Sequence, residues 1–417
     1  YITFSLGAEI IDCNDAITRA LKNNPQHQKV KTDKNIANLQ NWTSISNRLP
    51  SLTAGYNRIR NNAEIGFYMD STTFVVVQPL EMGQMSVDVS WPLFTGGSLL
   101  SAQKISSKSI KASELFVNES RENTKLETIK AYYDVIKMNG VLSISQSAKE
   151  LVNENLKMVN RMFEIGLVQK KDILRAEVSS MEIDQQIQQA EQGVQLSKMN
   201  LNMVMGESLD SNFELVETIP DVQLDYTLEE LLNHANEYRP VLQSARIGTD
   251  ITGLGIKAAR GSFVPSVAGI FHWQKDTESS ILSGGNQSWR AMVNVSLEIP
   301  FGFSNSAKYQ IAKAQHRQSK YSLMEAEHGI NLEVKANFLQ FQLAESSLDL
   351  ANKQSSIAEE NYKEVVAGFQ LGKSSQIELI DARNTLYNAQ INQMNILIDH
   401  AVSYYRLLVS AGYSIEL

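Results

Sequence analysis

Apolar and polar residues alternate in two stretches of this chain. Met85, Val87, Val89, Trp91 and Leu93 interleave with Gln84, Ser86, Asp88 and Ser90; Trp289, Ala291, Val293, Val295, Leu297 and Ile299 interleave with Arg290, Asn294, Ser296 and Glu298. A period of two gathers the apolar side chains on one face of a strand. Less regular partners, Leu52 to Ile59 and Val267 to Trp273, complete two strand pairs, four strands in all. The polar excursions within the pairs, Arg60 to Gly83 and Gln274 to Ser288, read as exposed loops.

Elsewhere the period is helical. From Ser98 to about Phe163, Leu115, Leu126, Ile129, Tyr133, Ile136, Ile144, Leu151, Met158 and Met162 recur mostly three or four residues apart. From about Ser304 to Ala367, Ile311, Ala314, Tyr321, Met324, Val334, Phe338, Phe341 and Leu348 do the same. At ~1.5 Å per residue each helix runs roughly 100 Å. A short helix from Asp15 stops at Pro25, and a medium one from Gln26 to Arg48 closes at Pro50. Leu228 to Tyr238, then Pro240 to about Gly261 before Pro265, repeat that design, because proline ends the preceding hydrogen-bond ladder. Further helices run from Val168 to Gly206 and from Ser374 to Gly412. Medium and final helices, placed end to end, nearly match the long helix between them and can lie antiparallel beside it.

The punctuation is duplicated. Pro25 and Pro50 lie 25 residues apart, as do Pro240 and Pro265; Gly166 and Gly206 lie 40 apart, as do Gly372 and Gly412. We expect two structural repeats, 1–220 and 221–417, each carrying a strand pair (near 51–94 and 264–300) and a long helical hairpin.

Composition narrows the function classes. A formal charge of -8, from 38 basic and 46 acidic residues, and the lack of a basic tract argue against nucleic-acid binding. Cys13 is the only cysteine, so no intrachain disulfide forms, and its Ile11-Asp12 context is poor for lipid attachment. Tyr1 to Ala8 reads equally as the remnant of a secretory signal and as a frayed terminus. The six histidines form no close ligand pair, and there is no Gly-x-Ser-x-Gly elbow or phosphate-binding loop. Gly253-Leu254-Gly255-Ile256-Lys257-Ala258 fits a dinucleotide fingerprint only loosely, since it lies inside a helical stretch. We expect neither an enzyme nor a cofactor.

No run of 18 apolar residues occurs, which excludes an ordinary transmembrane helix and leaves a membrane barrel open. Four strands cannot stand in a bilayer with open edges, and small barrels need about eight, so closure demands several chains. A trimer supplies twelve strands. Trp91, Trp273 and Trp289 are candidates for the aromatic girdle. A soluble sandwich shows the same stripe. The long helices favour the barrel over the rival class, a soluble trimeric coiled-coil structural or interaction protein with a small β head, because they lack a sustained seven-residue seam.

Several segments resemble the outer-membrane efflux protein family, the TolC-type channel-tunnels of Gram-negative bacteria. They are Phe163-Glu164-Ile165-Gly166-Leu167-Val168 leading to Asp172-Ile173 and Ala176; Phe369-Gln370-Leu371-Gly372 leading to Glu378-Leu379-Ile380-Asp381-Ala382; Leu386-Tyr387-Asn388-Ala389; Ala20-Leu21 with Asn24-Pro25; and Trp91-Pro92-Leu93-Phe94 with Gly96-Gly97. The resemblance implies an α+β fold: a homotrimeric outer-membrane β-barrel of four strands per chain and twelve in total, continued by a long antiparallel α-helical barrel in the periplasm. It also implies a passive exit duct in outer-membrane lipid, recruited by a periplasmic adaptor protein and an inner-membrane transporter for efflux or type I secretion.

By the same resemblance the turns bearing Gly166 and Gly372 form the periplasmic entrance, where Lys170, Lys171 and Arg175 are candidate adaptor contacts. Glu378 and Asp381, three apart and so on one helix face, match two lumen-facing family aspartates. Three copies would ring the entrance with carboxylates and select cations. Glutamate at the first position suggests a wider or more mobile ring. Asp172 matches a family aspartate that pairs with a tyrosine and a basic residue to hold the entrance shut. Here Phe369 and Ser374 occupy those places, and the neighbouring Lys373 points about 100° away, a poor substitute.

Overall fold

The computed structural model describes residues 9–277 and 287–415, so the Tyr1 to Ala8 segment and part of the second excursion lie outside it. In chain order the elements are β1 (Glu9–Ile11), α1 (Cys13–Asn23), α2 (Pro25–Ser46), β2 (Ser51–Arg60), β3 (Ile65–Tyr68), β4 (Phe74–Gln78), β5 (Glu81–Phe94), α3 (Ser98–Glu164) and α4 (Lys170–Met205). Then follow β6 (Phe213–Leu215), α5 (Leu228–Tyr238), α6 (Pro240–Arg260), β7 (Ser266–Asp276), β8 (Gln287–Ser296), α7 (Ser304–Gln370) and α8 (Gln376–Ser410). Helices α3 and α7 have 67 residues each. No helix among the described residues is long and apolar enough to cross a membrane.

The chain folds as two compact units. One holds residues 33–114 and 244–325, with the strands β2, β5, β7 and β8; the other holds 9–32, 115–243 and 326–415. In the first, the four expected strands form one antiparallel sheet in the order β2-β5-β7-β8. Its register carries the alternation across every strand. Leu52, Ala54 and Tyr56 pair with Val89, Val87 and Met85; Val87 and Val89 pair with Trp273 and Phe271; those pair with Trp289 and Ala291. Paired residues share a face, so one face is apolar across its central rows and turns polar only at the excursion end, where Arg58, Lys275 and Gln287 stand. The other carries Thr53, Asn57, Ser86, Asp88, His272, Gln274 and Arg290, and there His272 Nδ1 meets Asp88 Oδ1 at 2.6 Å. Trp273 and Trp289 stand opposite each other, while Trp91 pairs four residues along β7 with Gly269, about 13 Å away along the strand.

The first polar excursion departs from the expected bare loop. It contains the β3–β4 hairpin, turned by Asp70, whose carboxylate accepts the amides of Thr72 and Thr73 and both hydroxyls. An Asx-type turn of this kind supplies the reversal without glycine.

In the other unit, the main core gathers Ile129, Tyr132, Tyr133, Val135 and Ile136 of α3 with Leu201 and Met205 of α4 and Ile398, Val402 and Tyr405 of α8. A three-residue parallel pair, β1 with β6, is tied in by the Tyr132 hydroxyl, which donates to Val216 O at 2.7 Å. Both terminal helix ends lie against a short helix. Gly206, at φ 73°, approaches so closely that a Cβ there would sit 2.5 Å from Asn23 O, which glycine alone accommodates. Gly412, at φ 83°, abuts Arg239.

Arg239 is one of the buried charges of this unit, with Lys125 and Arg383. Its guanidinium pairs with Glu119 of α3 at 3.2 Å and Glu333 of α7 at 3.3 Å and donates to Val409 O. Burial raises the Glu119 pKa above its ordinary 4.5, against the pull of Arg239. An acid whose folded pKa is raised contributes stability that is full below the unfolded value and lost as pH rises through the folded one. Arg239→Met removes the opposing cation, raises that pKa further and leaves a buried carboxylate unpaired. We expect a loss of about 3–5 kcal/mol at pH 8 that shrinks towards pH 4.5, read from thermal unfolding by circular dichroism in detergent. A deficit independent of pH would show that Glu119 is not the group left uncompensated.

Candidate functional site

Two helix-turn-helix tips, both in the second unit, make the candidate site. Each long helix ends in the same hydrogen-bonded reversal. Gly166 N donates to Phe163 O at 2.9 Å and Leu167 N to Met162 O at 2.8 Å; Gly372 N donates to Phe369 O at 3.0 Å and Lys373 N to Gly368 O at 2.8 Å. Gly166 and Gly372 take φ of 75° and 70°, so their left-handed backbone closes the helices' last carbonyls.

The returning helices start with acidic caps. The Glu378 carboxylate accepts the Ser375 amide at 2.6 Å, and the Ser375 hydroxyl accepts the Glu378 amide at 3.3 Å, a reciprocal capping box. That bond to the Ser375 amide, with the Ser375 hydroxyl second, holds the Glu378 carboxyl below its ordinary pKa. Glu378 is therefore tethered, not the more mobile group suggested by its length. Asp381 lies one turn on and is exposed on the same face. At the other tip Asp172 accepts the Gln169 amide at 3.0 Å.

An apolar core joins the tips. Phe369 is 4% exposed and clusters with Val159 of α3, Ala176 of α4 and Leu379 of α8, flanked by Met162, Val168 and Ile173. A phenyl ring serves here where a tyrosine hydroxyl would need a partner. Asp172 meets Arg175 of its own helix at 3.7 Å, not a residue of the opposite tip. Ser374 folds back on α7, its amide donating to Gly368 O, and Lys373 is exposed. The structure thus brings Phe369, Asp172 and Ser374 to one groove of about 670 Å³, which Lys171 and Arg175 also line, but bonds no basic residue across it to Asp172. Lys170 opens α4 and is exposed.

Two polar residues escaped the sequence reading. Gln376 lines that groove, buried, with neither end of its carboxamide bonded. Arg383 is buried one turn beyond Leu379; burial lowers its pKa, Glu182 opposes this, and Nε and Nη1 lack partners. Its signal is its place four residues after Leu379, beside the buried stripe Ala382, Leu386 and Ala389. Among the described residues no group of three or more His, Cys, Asp or Glu side chains is placed to hold a metal.

One unit thus carries an amphipathic four-stranded sheet, and the other carries two long helical hairpins with acidic, glycine-turned tips. The chain belongs to the outer membrane efflux protein family, whose model matches residues 16–207 and 231–412. It is similar to outer membrane efflux protein BepC of Brucella suis, 19% identical over 398 residues, covering 95% of this chain and 84% of that protein. It is also similar to outer membrane protein TolC of Vibrio cholerae, 22% identical over 407 residues, covering 94% and 89%. Its fold matches the crystal structure of the Campylobacter jejuni CmeC outer membrane channel with a TM-score of 0.84 at 17% identity, over 96% of this chain and 85% of that one. The protein is accordingly an outer-membrane exit duct for efflux or secretion, with its helical part in the periplasm. Conduction, not catalysis, is its work.

Proposed function

We propose that three copies close one twelve-stranded barrel in outer-membrane lipid, and that their helices form an antiparallel tunnel ending at the tips. The observation that carries this reading is the sheet itself: four strands, with β2 and β8 at its open edges and one face apolar across its central rows. In hydrocarbon those edges need strands from neighbouring copies. The two repeats, 1–220 and 221–417, then each supply a strand pair and a hairpin, giving quasi-sixfold packing. The matched helix lengths support the duplication: α1 and α5 have 11 residues each, α4 has 36 and α8 has 35. Trp91, Trp273 and Trp289, all on the apolar face, face lipid.

The duct is passive. A periplasmic adaptor engages the tips at Gly166, Gly372, Lys170, Lys171 and Arg175, and an inner-membrane transporter supplies the energy. Glu378 and Asp381 select cations at the entrance. The Phe369 core keeps each chain's two hairpins together, with Asp172, Lys373 and Ser374 at the movable rim.

Native mass measurement in detergent should give three copies, and a stable water-soluble monomer would contradict the assembly. For the entrance, Glu378→Gln with Asp381→Asn should lower cation preference in single-channel reversal potentials and leave the trimer intact. The effect should be largest at low ionic strength, since charges beyond about 8 Å are screened at physiological salt. Because the Glu378 pKa is depressed, wild-type selectivity should persist at pH 5 and fade only as the carboxylate protonates below its ordinary 4.5. An unchanged reversal potential would put both residues outside the lumen.

A further inference from the structure

Where β8 leads towards α7, the period-two apolar stripe outlasts the strand. β8 ends at Ser296, yet odd-numbered positions stay apolar through Leu297, Ile299, Phe301 and Phe303. Phe301 is 99% exposed and Phe303 78%. Phe303 is also the one non-glycine residue among those described with positive φ, 54°. Just before α3 the equivalent place, next to Ser98 as Phe303 is next to Ser304, is held by Gly97 at φ 82°. Left-handed backbone crowds a Cβ, so this position suits glycine, and a phenylalanine retained there carries strain. Such strain persists where the side chain has a use.

That ring walls a cleft. Phe303, Leu297, Ile299, Pro300 and Phe263 line an apolar cavity of about 260 Å³. Asn305 holds its sides together, Nδ2 donating to Ser262 O at 3.2 Å and to Glu298 O at 3.4 Å. Glu298 is the single carboxylate in the lining. One ring away the chemistry changes sign. Phe263 meets Tyr309 edge-on at 6.1 Å; Arg260 Nη2 donates to the Tyr309 hydroxyl at 3.4 Å, and Lys313 Nζ sits 4.8 Å from the centre of the same ring. Both cations are exposed, and among the described residues neither pairs with a carboxylate. An apolar cleft ending at two cations suits an amphiphile with a hydrocarbon chain and an anionic phosphate.

We propose that this cleft binds a phospholipid of the periplasmic leaflet, with an acyl chain against Phe263, Leu297, Ile299 and Phe303 and the headgroup phosphate on Arg260 and Lys313. The inference rests on the barrel reading, which turns the stripe of β8 towards lipid and puts its helix-proximal end at the periplasmic side. Continuity with that stripe favours lipid over a second copy of the chain as the occupant. The strained ring then sets the depth of the barrel's lower rim.

The test uses full-length protein, extracted and washed in mild detergent, then mixed with micelles containing phosphatidylglycerol or phosphatidylcholine of equal chain length, with bound lipid counted by native mass spectrometry. Wild type should retain phosphatidylglycerol about tenfold better, the equivalent of about 1.4 kcal/mol. Arg260→Gln with Lys313→Gln should abolish that preference. Phe303→Gly should lose most of both lipids while its thermal midpoint holds or rises, because glycine relieves the backbone; a purely structural Phe303 would lower the midpoint and leave lipid retention alone. Equal retention of the two lipids by wild type, or unchanged retention in both variants, overturns the proposal. So does efficient crosslinking from Phe303→Cys to a neighbouring chain, which would make the cleft an inter-chain contact. Wild type that needs no detergent for extraction would instead overturn the barrel reading beneath it.

Discussion

A backbone amide in hydrocarbon must find its partner within the protein, and that requirement shapes the chain from its strands outward. β2 and β8 leave two open sheet edges, each a row of donors and acceptors that lipid cannot satisfy. Extra strands of the same chain are not offered to them: among the described residues the remaining strand pairs, β1 with β6 and β3 with β4, form separate small sheets. In the closure proposed above, repetition of the chain around an axis would satisfy them, and the helices that follow the strands in sequence would repeat as well. On that proposal the channel would follow from edge satisfaction, with no part of its wall designed as a pore in isolation.

The same logic of terminal satisfaction recurs in the helical unit. Each tip turn closes the carbonyls of one long helix with a left-handed glycine and the amides of the next with an acidic cap, so Gly166 with Asp172 and Gly372 with Glu378 are matched devices. The carboxylate that would meet passing ions is thereby also the one that starts α8. If Glu378 selects ions as proposed, selectivity and helix initiation are coupled in one residue, and the apolar cluster around Phe369 packs the two hairpins together beside it.

Periodicity made most of the architecture legible. The alternation at Met85–Leu93 and Trp289–Val295 gave the strands and their faces, and the prolines and glycines gave the helix limits to within a few residues. What stayed hidden depends on partners distant in sequence or on runs too short to show a period. β1 and β6 have three residues each, and the β3–β4 hairpin is turned by a side chain in a polar stretch that otherwise reads as loop. At the tips, residue identity located Glu378, Asp172 and Phe369, but not that Glu378 caps its helix, that Asp172 faces Arg175, or that Phe369 is buried. Arg383 and Gln376 are ordinary polar letters in the sequence, and only the packing of four helices makes them buried.

Closure between chains is the central claim, and edge-strand crosslinking tests it most directly. The native background is favourable, since Cys13 is the only cysteine and burial, with Asp12 beside it, pushes its thiol up to about 12. Single cysteines are introduced along β2, at Leu52, Ala54 and Tyr56, in combination with single cysteines along β8, at Ala291, Val293 and Val295, and the protein is oxidised in its native membrane. The account predicts that register-matched pairs run as covalent dimers and trimers on denaturing gels, with bonds from β8 of one chain to β2 of the next. Crosslinks confined to one chain, or none at any pairing in folded protein, would contradict it.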